Sequence, residues 1–161
     1  LGLKPRRTIR LIAWANEENG GRGGRTYATV NKPQAGKHFA AIESDLGAGR
    51  PIGVMAAIGI PAMPAMRPLQ QVLGKFGAPA LTRRDALNTG DLSALEADGV
   101  PIFEPQLDNR TYFDYHHTPA DTLDKVVPEN LRRQTAVMAM LVWHLATMPD
   151  ELGRAPSFKA Q

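Results

Sequence analysis

The stretch Arg7-Thr8-Ile9-Arg10-Leu11-Ile12-Ala13-Trp14-Ala15-Asn16-Glu17-Glu18-Asn19-Gly20 joins a short apolar run, Ile9 to Ala15, to two adjacent carboxylates and a glycine turn. A nearly continuous apolar run of this length, bounded by charge and glycine, is the pattern of a strand buried on both faces of a sheet. In layered α/β sheets ligands collect at strand ends, and Glu17 and Glu18 stand where the run stops. Two neighbouring carboxylates suit metal-assisted hydrolysis, one binding a metal ion and the other taking a proton from the water that the ion activates. A Glu-Glu pair on its own also reads as a solvated acidic turn, so the choice between the two rests on the remainder of the chain.

That remainder alternates strands and helices. Ile52 to Ile60 is a second buried run, and His38 to Ser44 and Val100 to Phe103 are further expected strands. Pro68 opens a helix in which Leu69, Val72, Leu73 and Phe76 recur at helical spacing, with Gly77 placed to end it. Pro128 opens a longer one, where Met138, Leu141, Val142 and Leu145 repeat the spacing before Pro149 closes it. The methionines and Trp143 of this helix are expected in the core. Such alternation predicts a layered α/β domain over residues 1–148, with helices on both sheet faces. There is no internal repeat and no sign of a second domain. Residues 149–161 carry Pro149, Gly153 and Pro156 among few apolar residues and read as a loose tail.

Further candidate ligands sit where a strand-end site needs them. Asp45 follows the run from His38 to Ser44, and Gly47 comes soon after. His117 lies in the Pro-broken segment from Tyr115 to Thr122. Carboxylate oxygen and imidazole nitrogen, in a chain without cysteine, suit a catalytic zinc or a similar divalent ion rather than a closed thiolate site. Taken singly, a His-His pair also reads as a surface loop, and Asp45 as a helix cap.

Three strings, residues 7–20, Ala41-Ile42-Glu43-Ser44-Asp45, and Tyr112-Phe113-Asp114-Tyr115-His116-His117-Thr118-Pro119-Ala120-Asp121-Thr122-Leu123-Asp124-Lys125, occur in that order. They resemble the di-zinc metallo-exopeptidases of the aminopeptidase and carboxypeptidase Q type. The resemblance implies a three-layer α/β/α fold with a mixed, largely parallel sheet. It also implies Glu17 as general base, Glu18 and His117 as ligands of one zinc, and Asp45 as a ligand of the other. Peptide is then the substrate. Arg50 either meets a substrate carboxylate or faces solvent; Tyr115 and His116 are candidates to line the pocket. Asp121 either bonds a ligand histidine or caps the turn before Leu123.

Members of that family carry a His-x-Asp segment upstream of the Glu-Glu motif, and residues 1–16 contain none. The chain is therefore expected to be the C-terminal part of a longer peptidase and an incomplete domain. One zinc or none is expected to bind here in place of the family's two. A raw sheet edge is expected to pair with a second copy. Secretion or a periplasmic location is compatible with the resemblance.

Composition narrows the alternatives. Lys and Arg number 19 against 16 Asp and Glu, a formal net charge of +3 that is too slight to argue for nucleic acid. No apolar stretch reaches the roughly 20 residues of a spanning helix, so no membrane partner is expected. Gly20-Gly21-Arg22-Gly23-Gly24-Arg25 has glycine beside arginine but lacks the Gly-Lys-Ser/Thr of a phosphate loop. A structural turn leading into a helix is its expected role.

Overall fold

The computed structural model describes residues 2–159. Four strands form one mixed sheet: β1 (Ala41–Ile42), β2 (Pro51–Ala57), β3 (Ala80–Arg84) and β4 (Ile102–Leu107), in the order β1-β4-β2-β3. β1 runs parallel to β4 and β2 parallel to β3, while β2 and β4 are antiparallel. The last strand in sequence thus lies inside the sheet. It reads as a nearly unbroken buried run, as an interior strand should.

Helices cover both faces, as the alternation predicts. α2 (Arg67–Lys75) and α5 (Pro128–Thr147) lie on one face, where Val54, Ala56, Ile58 and Phe103 meet Leu69, Leu73, Val137, Leu141 and Leu145. α1 (Arg22–Asn31) and α3 (Ser93–Ala97) lie on the other, packing Ala28, Leu92 and Leu95 against Ala57, Val100 and Ile102. A short helix, α4 (Tyr112–Tyr115), precedes the His-His pair. Val137, Leu141 and Leu145 recur every fourth residue, and full burial of each is worth about 1.5–3 kcal/mol, which fixes α5 against the sheet. None of the helices among the described residues is long and apolar enough to cross a membrane.

Several expected elements differ. Residues 8–14 form no strand. Leu11 is 97% exposed and Ile9 52%, and no backbone hydrogen bond among the described residues pairs this segment with another strand. A strand exists only through its ladder, and this run makes none among the described residues. Side chains hold it instead: Arg7 donates to the carbonyls of Leu145 and Met148 at the end of α5 (3.1 and 2.7 Å), and Trp14 packs edge-on against Tyr27 of α1. The strand expected from His38 to Ser44 shrinks to two residues, because β1 finds a partner on one side alone. β3 was not expected; its sequence, Ala-Leu-Thr-Arg-Arg, is half polar because it is an edge strand with partly exposed side chains.

Helix faces also depart in detail. In α2, Leu69 and Leu73 are buried while Val72 and Phe76 are exposed. Trp143 of α5 sits at the surface rather than in the core, since the buried stripe of Val137, Leu141 and Leu145 points away from it. Residues 149–159 have no regular structure, yet they are tied down in contrast to the loose tail expected. Leu152 and Ala155 are buried, and the Ala155 N–H donates to the Gly99 carbonyl at 2.9 Å.

Candidate active site

The carboxylate pair is set by a tight turn. The Glu17 carbonyl accepts hydrogen bonds from the N–H groups of Gly20 (2.9 Å) and Gly21 (2.7 Å), and the Asn16 and Ala15 carbonyls accept from Arg22 and Gly23. Asn16 takes the left-handed conformation (φ 60°), which asparagine tolerates better than most residues. The glycines then earn their place by contact. A Cβ at Gly24 would lie 2.0 Å from the Asp91 carbonyl oxygen, and one at Gly23 would lie 2.6 Å from that of Ala15. This stretch brings the start of α1 against two backbone segments, which accounts for it without phosphate or RNA.

From the far end of the sequence, His117 reaches Glu18. Its Nε2 lies 2.9 Å from Glu18 Oε1, a contact spanning 99 residues, and both side chains are exposed. His117 is held from behind, because its ring stacks on His116 (3.8 Å between centroids) and His116 stacks on Tyr112 (4.7 Å). The His117 backbone is left-handed (φ 57°), a conformation uncommon outside glycine, though less so for histidine, and one that clusters at functional sites. Glu17, beside Glu18, faces Gly90: a Cβ there would come within 2.6 Å of Glu17 Oε1. Glu17, Glu18, Arg25, Gly90 and Ser93 line one open pocket.

Asp45 follows β1 and is exposed; its backbone carbonyl lies 3.5 Å from the Tyr112 hydroxyl. Arg50, just before β2, is at the same end of the sheet, its carbonyl accepting from the Asp108 N–H at 2.8 Å and its side chain exposed. Tyr115 is half-buried with the Lys125 ammonium 5.6 Å from its ring centroid. Among the described residues the Asp121 carboxylate accepts no hydrogen bond, from a histidine or from the turn before Leu123, and the residue is exposed. Thr122, not Asp121, precedes that turn directly and bonds Asp124.

Three carboxyls behind these residues were not singled out from sequence: Glu43, Asp91 and Glu104, each at least nine-tenths buried. Glu43 Oε1 accepts the Asp91 N–H at 3.1 Å, while Glu43 Oε2 and Asp91 Oδ1 have no partner among the described residues. Burial, with Glu43 and Asp45 nearby, pushes the Glu104 carboxyl up to about 7. Burial raises Asp91 too, against a hydrogen bond from the Gly24 backbone, with Glu17 and Asp45 adding to the rise. Glu104 is legible as the one charge in a mostly apolar strand, and Glu43 stands inside the Ala41–Asp45 string. Nothing local marks Asp91.

Zinc takes carboxylate oxygen and imidazole nitrogen, with three protein donors usual in catalytic sites. Glu18 and His117 fit as two donors for one ion. No group of three or more His, Cys, Asp or Glu among the described residues is arranged to hold a metal, so Asp45 is not brought into that set and two full sites are not formed.

Comparison with known proteins gives concordant results. The model of peptidase family M28 matches residues 2–142. Carboxypeptidase Q of Bos taurus is 30% identical over 155 residues, 96% of this chain and 32% of its own length, and that of Homo sapiens is 30% identical over 158 residues. The crystal structure of a peptidase M28 precursor from Shewanella amazonensis SB2B superposes with a TM-score of 0.89 at 40% identity, over 97% of this chain and 35% of that one. The chain thus spans about a third of the length of these relatives.

Proposed function

The chain belongs to peptidase family M28, and from that premise we propose that it carries part of a zinc-dependent exopeptidase site, of aminopeptidase or dipeptidase type. The observation that carries this reading is the approach of His117 Nε2 to Glu18 Oε1, with Glu17 next in sequence and left free of it. In the reading, Glu18 and His117 would hold one ion, and Asp45 would contribute to a second. Zinc, when bound, polarises a scissile carbonyl and lowers the pKa of water. Glu17 would take a proton from the attacking water and pass it to the leaving amine. His116 keeps the His117 ring in place by stacking, and the exposed Arg50 either meets a substrate carboxylate or faces solvent. With two donors together, residues 1–161 alone are expected to be inactive or nearly so.

A crystal soaked in zinc tests the assignment. Anomalous density is expected between Glu18 and the Nε2 of His117. Density beside His116, with His117 turned away, would reverse the two histidines' roles.

A further inference from the structure

Glu17 and Glu18 share their open pocket, of about 620 Å³, with one cation among the described residues, Arg25. A volume of that order suits a small ligand. The other walls are small residues: Gly20, Gly21, Gly90, Ser93 and Ala94. The Ser93 hydroxyl is spent on the carbonyls of Thr89 and Gly90 in the turn before it, so its oxygen is left to accept. Glu17 and Glu18, when ionised, also only accept. Arg25 is thus the one side chain on these walls, among the described residues, with N–H groups free to donate.

Its guanidinium has no partner of its own. Among the described residues no carboxylate lies within ion-pair distance of it, although two carboxylates line the same pocket. The group is nonetheless held. It lies over Gly20, where an added Cβ would stand 3.2 Å from one terminal nitrogen. The Arg25 backbone is fixed at both ends, its N–H donating to the Gly21 carbonyl (3.0 Å) and its carbonyl accepting from the Thr29 hydroxyl (2.8 Å). Arg25 also stands against local preference. It shares the first turn of α1 with Arg22 and with no acidic residue, whereas the positive end of a helix dipole disfavours cations. Departures from local preference of this kind are expected at functional positions. Arg50, the cation marked from sequence, does not line this pocket, and its charge acts on Asp108.

We propose that Arg25 is a specificity-determining residue that binds a carboxylate of the substrate on the leaving-group side of the scissile bond. The place of that bond rests on the peptidase reading, in which Glu17 serves the attacking water. The planar fork of a guanidinium matches a carboxylate with two parallel hydrogen bonds, and a protonated amine is repelled from it. The separation is short, because Gly20 beneath the guanidinium donates its N–H to the Glu17 carbonyl at 2.9 Å. One extended residue spans about 3.3–3.6 Å, so a carboxylate one residue beyond the bond belongs in the same pocket. Either the free C-terminus or an acidic side chain of that residue supplies this chemistry.

The test is an NMR titration of the whole chain, nitrogen-15 labelled, first metal-free and then with zinc. The probes are alanyl-alanine, its C-terminal amide, and alanyl-glutamate with its C-terminus amidated. Alanyl-alanine is expected to shift the Arg25 Nε–H and the Gly20 and Gly21 amides saturably in at least one of the two conditions, and its amide to bind at least tenfold more weakly. Arg25→Gln is expected to lose at least tenfold in affinity for alanyl-alanine. Arg22→Gln, which removes the neighbouring charge from outside the pocket, should lose little. Both arginines are exposed, so both variants keep the core. Tight binding of the amidated alanyl-glutamate would identify the side-chain carboxylate as the group read, and its weak binding the free C-terminus. Equal affinity for alanyl-alanine and its amide overturns the proposal, as do equal losses in the two variants or no saturable binding with or without zinc. Zinc uptake by Glu18 and His117 is read apart from these shifts, so failure of the metal assignment is distinguishable from failure of this one.

Discussion

Glu104 is a carboxyl placed in an apolar strand, 5% exposed, with Glu43 and Asp45 near it. Its value in the folded chain is about 7 against an ordinary 4.5. Well below pH 4.5 it is protonated folded and unfolded alike and costs nothing. As pH rises through this window the unfolded chain ionises freely while the folded one resists, so stability falls and the full penalty is present above about pH 7. Glu104→Gln in the metal-free chain is therefore expected to raise the midpoint of thermal unfolding by several degrees at pH 8. The gain should shrink towards zero near pH 4.5, and an equal shift at both pH values would dismiss the account. At this scale the sequence was informative where a residue belonged to a string, as Glu17, Glu18 and His117 did. It was silent on Asp91, whose burial depends on where the loop before α3 meets Gly24, a contact between residues far apart in sequence.

At the scale of elements, α1 sits where it does because glycine lets it. With a Gly24 Cβ 2.0 Å from the Asp91 carbonyl oxygen, Gly24→Ala forces helix and loop apart. A loss of about 1–3 kcal/mol is expected from such overpacking, read by denaturant unfolding. Gly36→Ala, with nothing within 4 Å of its added methyl, should change stability little; similar losses in both would show that helix contact is not the cause. Strands buried by their neighbours were legible as apolar runs, as with Pro51–Ala57. The exceptions have a common physical origin. Residues 8–14 have the composition of an interior strand without the partner that makes one, and β3 has a partner without the composition. Apolar pattern reports the environment a segment is suited to, whereas the ladder depends on what lies beside it. Trp143 and Phe76 are misplaced for a related reason, since helical spacing marks a stripe but not its width.

For the whole molecule, the mixed three-layer architecture and the family were both legible from three strings and an alternating pattern, and the sheet order was not, because β4 enters between β1 and β2 from the end of the strand sequence. The central claim is that Glu18 and His117 form the metal-holding half of a site in which Glu17 moves protons. The most direct measurement is zinc titration by calorimetry on the intact chain and on Glu17→Gln, Glu18→Gln and His117→Ala, with turnover of an aminoacyl substrate and a dipeptide followed alongside. One weakly held ion is predicted for the unsubstituted chain and for Glu17→Gln, at least a tenfold loss of affinity in Glu18→Gln and His117→Ala, about 1.4 kcal/mol or more, and no appreciable hydrolysis by any of them. Equal loss of zinc in Glu17→Gln and Glu18→Gln, or two tightly bound ions with robust turnover in the unsubstituted chain, would contradict the account.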